Sequence, residues 1–188
     1  MEHPEKYFSF VKQVVIDGIP FDVDVDILAG MYGGTRKEKR SQHVQGLKAM
    51  KATGGDFAFK FEPRQVTLEA PRPDGAIDVA RVNVVALVPY FVMKTAAMGR
   101  GKAKDAYDLY FLIKQYPGGA KQLALEFSDF SKTPTISEMK AKLSEKFASI
   151  GHAGPVDVAN FMNLLDEQEI NMIRRDAFEQ IQALLSSI

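Results

Sequence analysis

The sequence predicts an α+β fold, with a mixed, largely antiparallel sheet first and a helical region after it. Two observations carry this prediction. Up to about residue 84 the apolar residues recur with period two and are broken by turn signals, which is the pattern of strands. From Leu87 the period becomes that of amphipathic helices. A run of strands followed by a run of helices points to an α+β architecture. A soft boundary then separates a sheet region, residues 1–84, from a helical region, residues 85–188, packed on it.

The elements follow in order. The run FSFVKQVVI has strand content, Asp17-Gly18 is a turn signal, and IPFDVDVDIL is the returning strand. In that second strand Phe21, Val23, Val25 and Ile27 alternate with Asp22, Asp24 and Asp26. One face is therefore apolar and the other carries three carboxylates. Residues 29–55 are Gly-rich and basic and read as a long loop with a short helical turn. DFAFKFE (56–62) alternates again, with Phe57, Phe59 and Phe61 on one face, and QVTLEA (65–70) reads as its partner. PRPDG (71–75) is a turn and AIDVARVNV (76–84) a further strand, which makes a sheet of about five strands.

PYFVMKTAAM then fits a helix with Pro89 in its first turn. KDAYDLYFLIKQY (104–116) fits a second, closed by Pro117-Gly118-Gly119. Its broad apolar face, with Leu109, Leu112 and Ile113, predicts a well-buried helix. AKQLALEFSDF reads as a third helix, and Ser137 to Ala148 as a fourth with Ser137 as its N-cap. Pro155 opens a fifth, and Glu167 to Leu185 makes the last.

Composition removes several classes of function. The chain has 188 residues, 46% of them apolar and 26% charged, as in an ordinary globular chain. Lys+Arg and Asp+Glu are 24 each, so the formal charge is zero, which argues against a globally basic nucleic-acid binder. The absence of cysteine excludes a disulfide scaffold, a Cys-ligated zinc site, an iron–sulfur cluster and a thiol nucleophile. No apolar run approaches the roughly 20 residues that span a bilayer, so no membrane association is expected. With no apolar signal region in MEHPEKYF, the default location is the cytoplasm. No Walker A loop, G-x-G-x-x-G or G-x-S-x-G is present, and His3, His43 and His152 share no metal spacing.

Charge is unevenly distributed. Residues 1–33 and 155–188 each carry a balance of −4, and residues 34–51, which include Arg36, carry +5. From Lys94 to Lys104 there are four cations, Lys94, Arg100, Lys102 and Lys104, and no acid. Solvated faces account for such runs. So does a carboxylate strand that holds a metal beside basic elements that hold a polyphosphate. Mg²⁺ takes oxygen ligands and commonly bridges protein carboxylates to substrate phosphates. The row Asp22, Asp24 and Asp26 supplies candidate metal carboxylates, and Arg36, Arg100, Lys102 and Lys104 are the candidate phosphate contacts.

The stretch VPYFVMKTAAMGRGKAKDAYDLYFLI resembles the hallmark of the AbiEii/AbiGii-type nucleotidyltransferases. In that family a helix carries a lysine, a basic linker follows, and the next helix begins Arg/Lys-Asp-x-Tyr-Asp-Leu. The matching residues are Lys94, then Arg100, Lys102 and Lys104, then Asp105, Tyr107, Asp108 and Leu109. IPFDVDVDIL looks like the family's strand with the third carboxylate, in which Asp26 or Asp24 takes that role, and GGTR resembles a basic loop found after it in relatives. The similarity covers residues 8–130 or so.

The resemblance implies a nucleotidyltransferase fold, an NTP and Mg²⁺, with a nucleotide transferred to an acceptor. Characterised relatives include toxins of toxin–antitoxin and phage-defence systems, some of which modify tRNA ends. Lys94, Asp105 and Asp108 would then act at the catalytic site with Asp24 and Asp26. One departure stands out. The family's Gly-Gly or Gly-Ser turn followed by Asp-x-Asp should precede the matched strand, and no such motif does. The chain therefore looks like a member that begins partway through the catalytic domain. It would be truncated, completed by an N-terminal partner chain, or degenerate and non-catalytic. An incomplete sheet region also predicts exposed sheet surface and self-association into a homo-oligomer.

Overall fold

The computed structural model describes residues 8–30, 41–44, 46–72 and 74–188. The chain is α+β, with mostly antiparallel strands followed by a helical C-terminal region. It divides into two compact units, Met1–Ala86 and Leu87–Ile188.

In the first unit β1 (Ser9–Ile16) and β2 (Ile19–Asp26) form an antiparallel hairpin. Asp17 and Gly18 have φ of 51° and 78°, the left-handed pair that a tight two-residue hairpin turn requires. Register pairs Ser9 with Asp26, Val11 with Asp24 and Gln13 with Asp22, so the three carboxylates do share a face. Phe21, Val23 and Val25 share the opposite face with Val14, Lys12 and Phe10. That apolar face is not a core face: Phe21, Val23 and Val25 are 45–49% exposed.

Instead of the expected single sheet of about five strands, the described residues form three small sheets. The 29–55 segment, expected to be a loop, contributes β4 (Ser41–Val44) and β5 (Leu47–Lys51), which join β3 (Leu28–Ala29) in the order β3-β5-β4 with β3 parallel to β5. Residues 56–62 are not a strand. They begin in a one-turn helix, α1 (Gly55–Ala58). Phe57 is buried and its ring meets Phe61 edge-on at 5.0 Å, while Phe59 between them is 83% exposed. Backbone approach explains the turn: Gly54 sits at φ 83°, and a Cβ on Gly55 would lie 3.1 Å from the Gly30 Cα. Alternating phenylalanines cannot overrule such a close crossing. β6 (Arg64–Pro71) therefore pairs with β7 (Ile77–Val84), not with residues 56–62.

The second unit is helical throughout its regular structure. α2 (Leu87–Ala97) runs through a 3₁₀ turn (Met98–Arg100) into α3 (Ala103–Gln115). Gly101, at φ 73°, ends that turn in the left-handed region, where glycine is unstrained. α4 (Gly119–Ala124) continues as a 3₁₀ segment to Phe130, and α5 (Pro134–Lys146), α6 (Ala153–Met162) and α7 (Glu167–Ser187) follow. The N-cap of α5 is Thr133 rather than Ser137: its side chain accepts from the Ile136 N–H, and Pro134 stands at the first helical position. Asp166 caps α7 in the same way through the Glu169 N–H.

The core of this unit is continuous. Phe91, Leu109, Ile113, Leu123, Phe127, Ile136, Leu143, Phe147, Val158, Ile181 and Leu184 are all buried. Phe91 and Phe127 meet edge-on at 5.6 Å, the preferred geometry of an aromatic pair. Helix α6 approaches so closely that a Cβ on Gly154 would strike the Phe147 ring. Among the described residues no helix is long and apolar enough to cross a membrane.

Candidate functional site

The sequence-predicted site residues fall into two groups. Asp24 and Asp26 lie on β2 in the first unit, both exposed on the carboxylate face. Lys94, Arg100, Lys102, Lys104, Asp105 and Asp108 lie in the helical unit, on α2, the 3₁₀ turn and the first turns of α3. Arg36 lies outside the described residues.

The helical group is a tight ion cluster. Lys94 projects from α2 and donates from Nζ to Asp105 Oδ1 at 3.0 Å and to Asp108 Oδ2 at 2.6 Å. Lys104, one turn before Asp108, donates to both of its carboxylate oxygens at 2.8 Å. Arg100 Nη2 stands 3.8 Å from Asp105 Oδ2. The spacing explains the meeting: Asp105 and Asp108 are three residues apart and so share one face of α3, turned toward α2. Asp105 is buried, and its Oδ2 accepts no hydrogen bond among the described residues.

The electrostatics define what these groups can do. Burial works against the Lys94 ammonium, but the hydrogen bonds to Asp108 and Asp105 outweigh it and hold its pKa above the ordinary value. Lys94 is a fixed cation, not a nucleophilic amine. Burial likewise favours protonated Asp108, yet hydrogen bonds from Lys104 and Lys94 outweigh it and hold the carboxyl below its usual range. Asp108 is therefore a permanent anion and a poor general acid. Three cations meet two carboxylates, which leaves positive charge in excess. Lys104 and Arg100 are more than half exposed, so both can offer further donors to an anion from solvent.

Two aromatic contacts add to the site beyond the motif residues themselves. Tyr90, one turn before Lys94, places its ring centroid 5.9 Å from Nζ, within cation–π range. Burial first, and the Asp108 charge second, raise the pKa of its phenol. Tyr107 stacks on Phe111 at 5.8 Å and lies 4.6 Å from the Phe161 ring of α6. The spacing of Tyr90 and Lys94 was a readable signal; the partnership of Tyr107 with Phe161 was not, because 53 residues of chain separate them.

The residues offered to Mg²⁺ make a partial fit. Asp22, Asp24 and Asp26 form a row, with alternate residues roughly 6.6 Å apart along a strand. Among the described residues no three His, Asp or Glu side chains converge so as to hold a metal ion. A pair of carboxylates suits a magnesium ion that keeps its waters and is bound chiefly by phosphates, and does not make a closed protein cage. No family model matches the chain, and no curated protein or solved structure matches it either.

Proposed function

We propose that the chain is a Mg²⁺-dependent nucleotidyltransferase-like protein that moves a nucleotide from an NTP to an acceptor hydroxyl, with RNA as the acceptor. The observation that carries this reading is the Lys94–Asp105–Asp108–Lys104 cluster with Arg100 beside it. In the reaction the acceptor oxygen bonds to the α-phosphorus of the NTP and the bond to the bridging oxygen breaks. Pyrophosphate leaves, and the hydroxyl proton passes to solvent. Lys94, Lys104, Arg100 and Lys102 supply charge to the triphosphate, whose oxygens gain negative charge as the bond breaks. Asp105 and Asp108 position the two lysines. Asp24 and Asp26 would hold Mg²⁺, which neutralises phosphate charge when bound. Toxin–antitoxin and phage-defence systems supply the biological setting, with an antitoxin or a complementary N-terminal chain as protein partner.

A second reading is favoured by the linear arrangement of the β2 carboxylates. A row that does not converge suits a non-catalytic member that binds nucleotide or RNA without turnover, or one that needs a partner chain to complete the metal site.

Label transfer separates the two. The full chain is incubated with Mg²⁺, each α-labelled NTP in turn and total tRNA. Label on RNA that Asp24→Ala/Asp26→Ala and Lys94→Met both fail to produce supports the transferase. Nucleotide binding that Lys94→Met abolishes, without label on RNA, supports the binding module.

A further inference from the structure

Beside the ion cluster, and sharing its exposed cations Arg100 and Lys104, lies a strip of rings that triphosphate binding does not use. Lys104, Tyr107 and Phe111 follow one another at three- and four-residue spacing along one face of α3. Phe161 of α6 adds a third ring, 4.6 Å from Tyr107. These rings are not sealed in a core: Phe111 is 49% and Phe161 41% exposed. Exposed cations stand at the N-terminal end of the same strip, with Arg100 and Lys102 just before the helix and Lys104 in its first turn. An apolar protein partner would use the rings and leave these cations idle. A chain of flat rings linked by phosphates would use both.

We propose that this strip is a binding surface for single-stranded nucleic acid, with bases stacked on Phe111 and Phe161 and backbone phosphates on Arg100, Lys102 and Lys104. Tyr107 lies between the two outer rings and holds them in place. A free nucleotide offers one base and has no use for rings spread over more than one turn of α3 and onto α6. A duplex hides its base faces and cannot stack. The surface belongs to the helical unit alone and requires neither an NTP nor turnover, so it stands whether or not the chain proves to be a transferase.

The chain contains no tryptophan, which makes the test direct. Phe111→Trp places the sole indole on the strip. Full-length protein carrying it is titrated with a labelled 12-nucleotide RNA, first single-stranded and then annealed to its complement, without NTP or Mg²⁺. Stacking predicts quenched indole emission with the single strand, weaker binding of the duplex, and no comparable quenching by mononucleotides. In anisotropy, Phe161→Leu keeps an apolar contact with Tyr107 but removes a stacking face, and is expected to weaken binding roughly 5- to 100-fold. Lys102→Gln is expected to shallow the salt dependence by about 0.7 in the log–log slope. Single-strand binding with unchanged indole emission would overturn the assignment of the rings. Equal binding of single strand and duplex, or no binding by protein with a native melting curve, would overturn the proposal outright.

Discussion

In the helical unit Phe91, Phe127 and Phe147 are fully enclosed, whereas on β2 in the strand unit Phe21, Val23 and Val25 stand nearly half in water. The residue types are alike and the periodicities equally clean, yet only one set makes a core. The difference lies in what each element can turn its apolar face toward. Helices α2 to α7 supply faces to one another within a single stretch of chain. The hairpins β1–β2 and β6–β7 are each two-stranded sheets, and a two-stranded sheet has no partner layer of its own. An alternating pattern specifies which face is apolar. It does not specify that anything covers it.

The sharpest way to break this contrast is to remove one ring from each unit. Phe127→Ala is expected to cost about 3–5 kcal/mol, the range for deleting an enclosed phenylalanine. Urea unfolding of the full chain, followed by helical circular dichroism, reads this directly. A cost near zero would mean that the helical core is not what holds that unit.

The ion cluster sharpens the comparison, because the same unit buries charge as well as rings. Asp105→Asn leaves Lys94 with Asp108 as its remaining carboxylate, in a place where Asp105 is almost wholly enclosed. A loss of about 1–3 kcal/mol is expected in the same measurement. Lys94→Met/Asp105→Asn should recover part of it, since the double variant removes both members of the pair. A double variant no better than Asp105→Asn alone would show that the pair contributes through something other than its charges.

The same cluster makes stability depend on pH in a defined direction. The folded pKa of Asp108 lies below its unfolded value, because hydrogen bonds from Lys104 and Lys94 overcome the effect of burial. Its contribution is therefore present above the unfolded pKa, near 4, and is lost as pH falls through the folded one. Lys94 behaves oppositely. Its folded pKa is raised, so its contribution is complete below about pH 10 and is lost as pH rises through the folded pKa. The cluster's share of the urea midpoint should be level between these limits and should decline on both sides. Asp108→Asn should remove the cluster's share of the acid decline, and an unchanged acid limb would refute the assignment.

A second polar link joins α3 to α7. The Tyr110 hydroxyl donates to Asp176 Oδ2 at 2.6 Å, with Lys114 and Gln180 on the same carboxylate. Burial and the Asp176 charge raise the phenol's pKa, so it stays a donor across the ordinary range. Tyr110→Phe removes one donor of three and is expected to cost about 1 kcal/mol. A larger loss would mean that the α3–α7 contact depends on the hydroxyl itself.

Much of this architecture was legible because local signals and tertiary contacts agree. Asp17-Gly18 names its hairpin, and the period-3.6 run closed by Pro117-Gly118-Gly119 names α3. The Lys94, Asp105 and Asp108 group was legible as a motif, and its spacing on α3 accounts for the convergence. Where reading failed, the causes differ from place to place. The Gly30–Gly55 crossing makes residues 55–58 turn, although DFAFKFE alternates like a strand. The β4–β5 hairpin is rich in Lys and Gln, with few β-branched residues, so its composition suggests a loop while its pairing makes a sheet. At α5 the expected cap is Ser137, whereas Thr133 caps the helix, and the proline after Thr133 is the local signal that marks it.

The smallest expected effect lies on β2 and tests the other side of the contrast. Phe21→Ser changes a half-exposed position on a face that nothing in its own hairpin covers. In a monomer such a change should alter stability by no more than about 0.5 kcal/mol. A covered face behaves differently. If a second copy or another chain lies on Phe21, Val23 and Val25, the wild type gains stability with concentration by mass action, and Phe21→Ser abolishes that gain. Melting curves over a hundredfold range of protein concentration distinguish the cases. Curves that superimpose for both proteins would establish that the hairpin carries its apolar face in water. A wild-type midpoint that climbs with concentration, beside a variant midpoint that does not, would move β2 from the exposed class into an interface, and the two units would then differ in where their partners come from rather than in whether they have them.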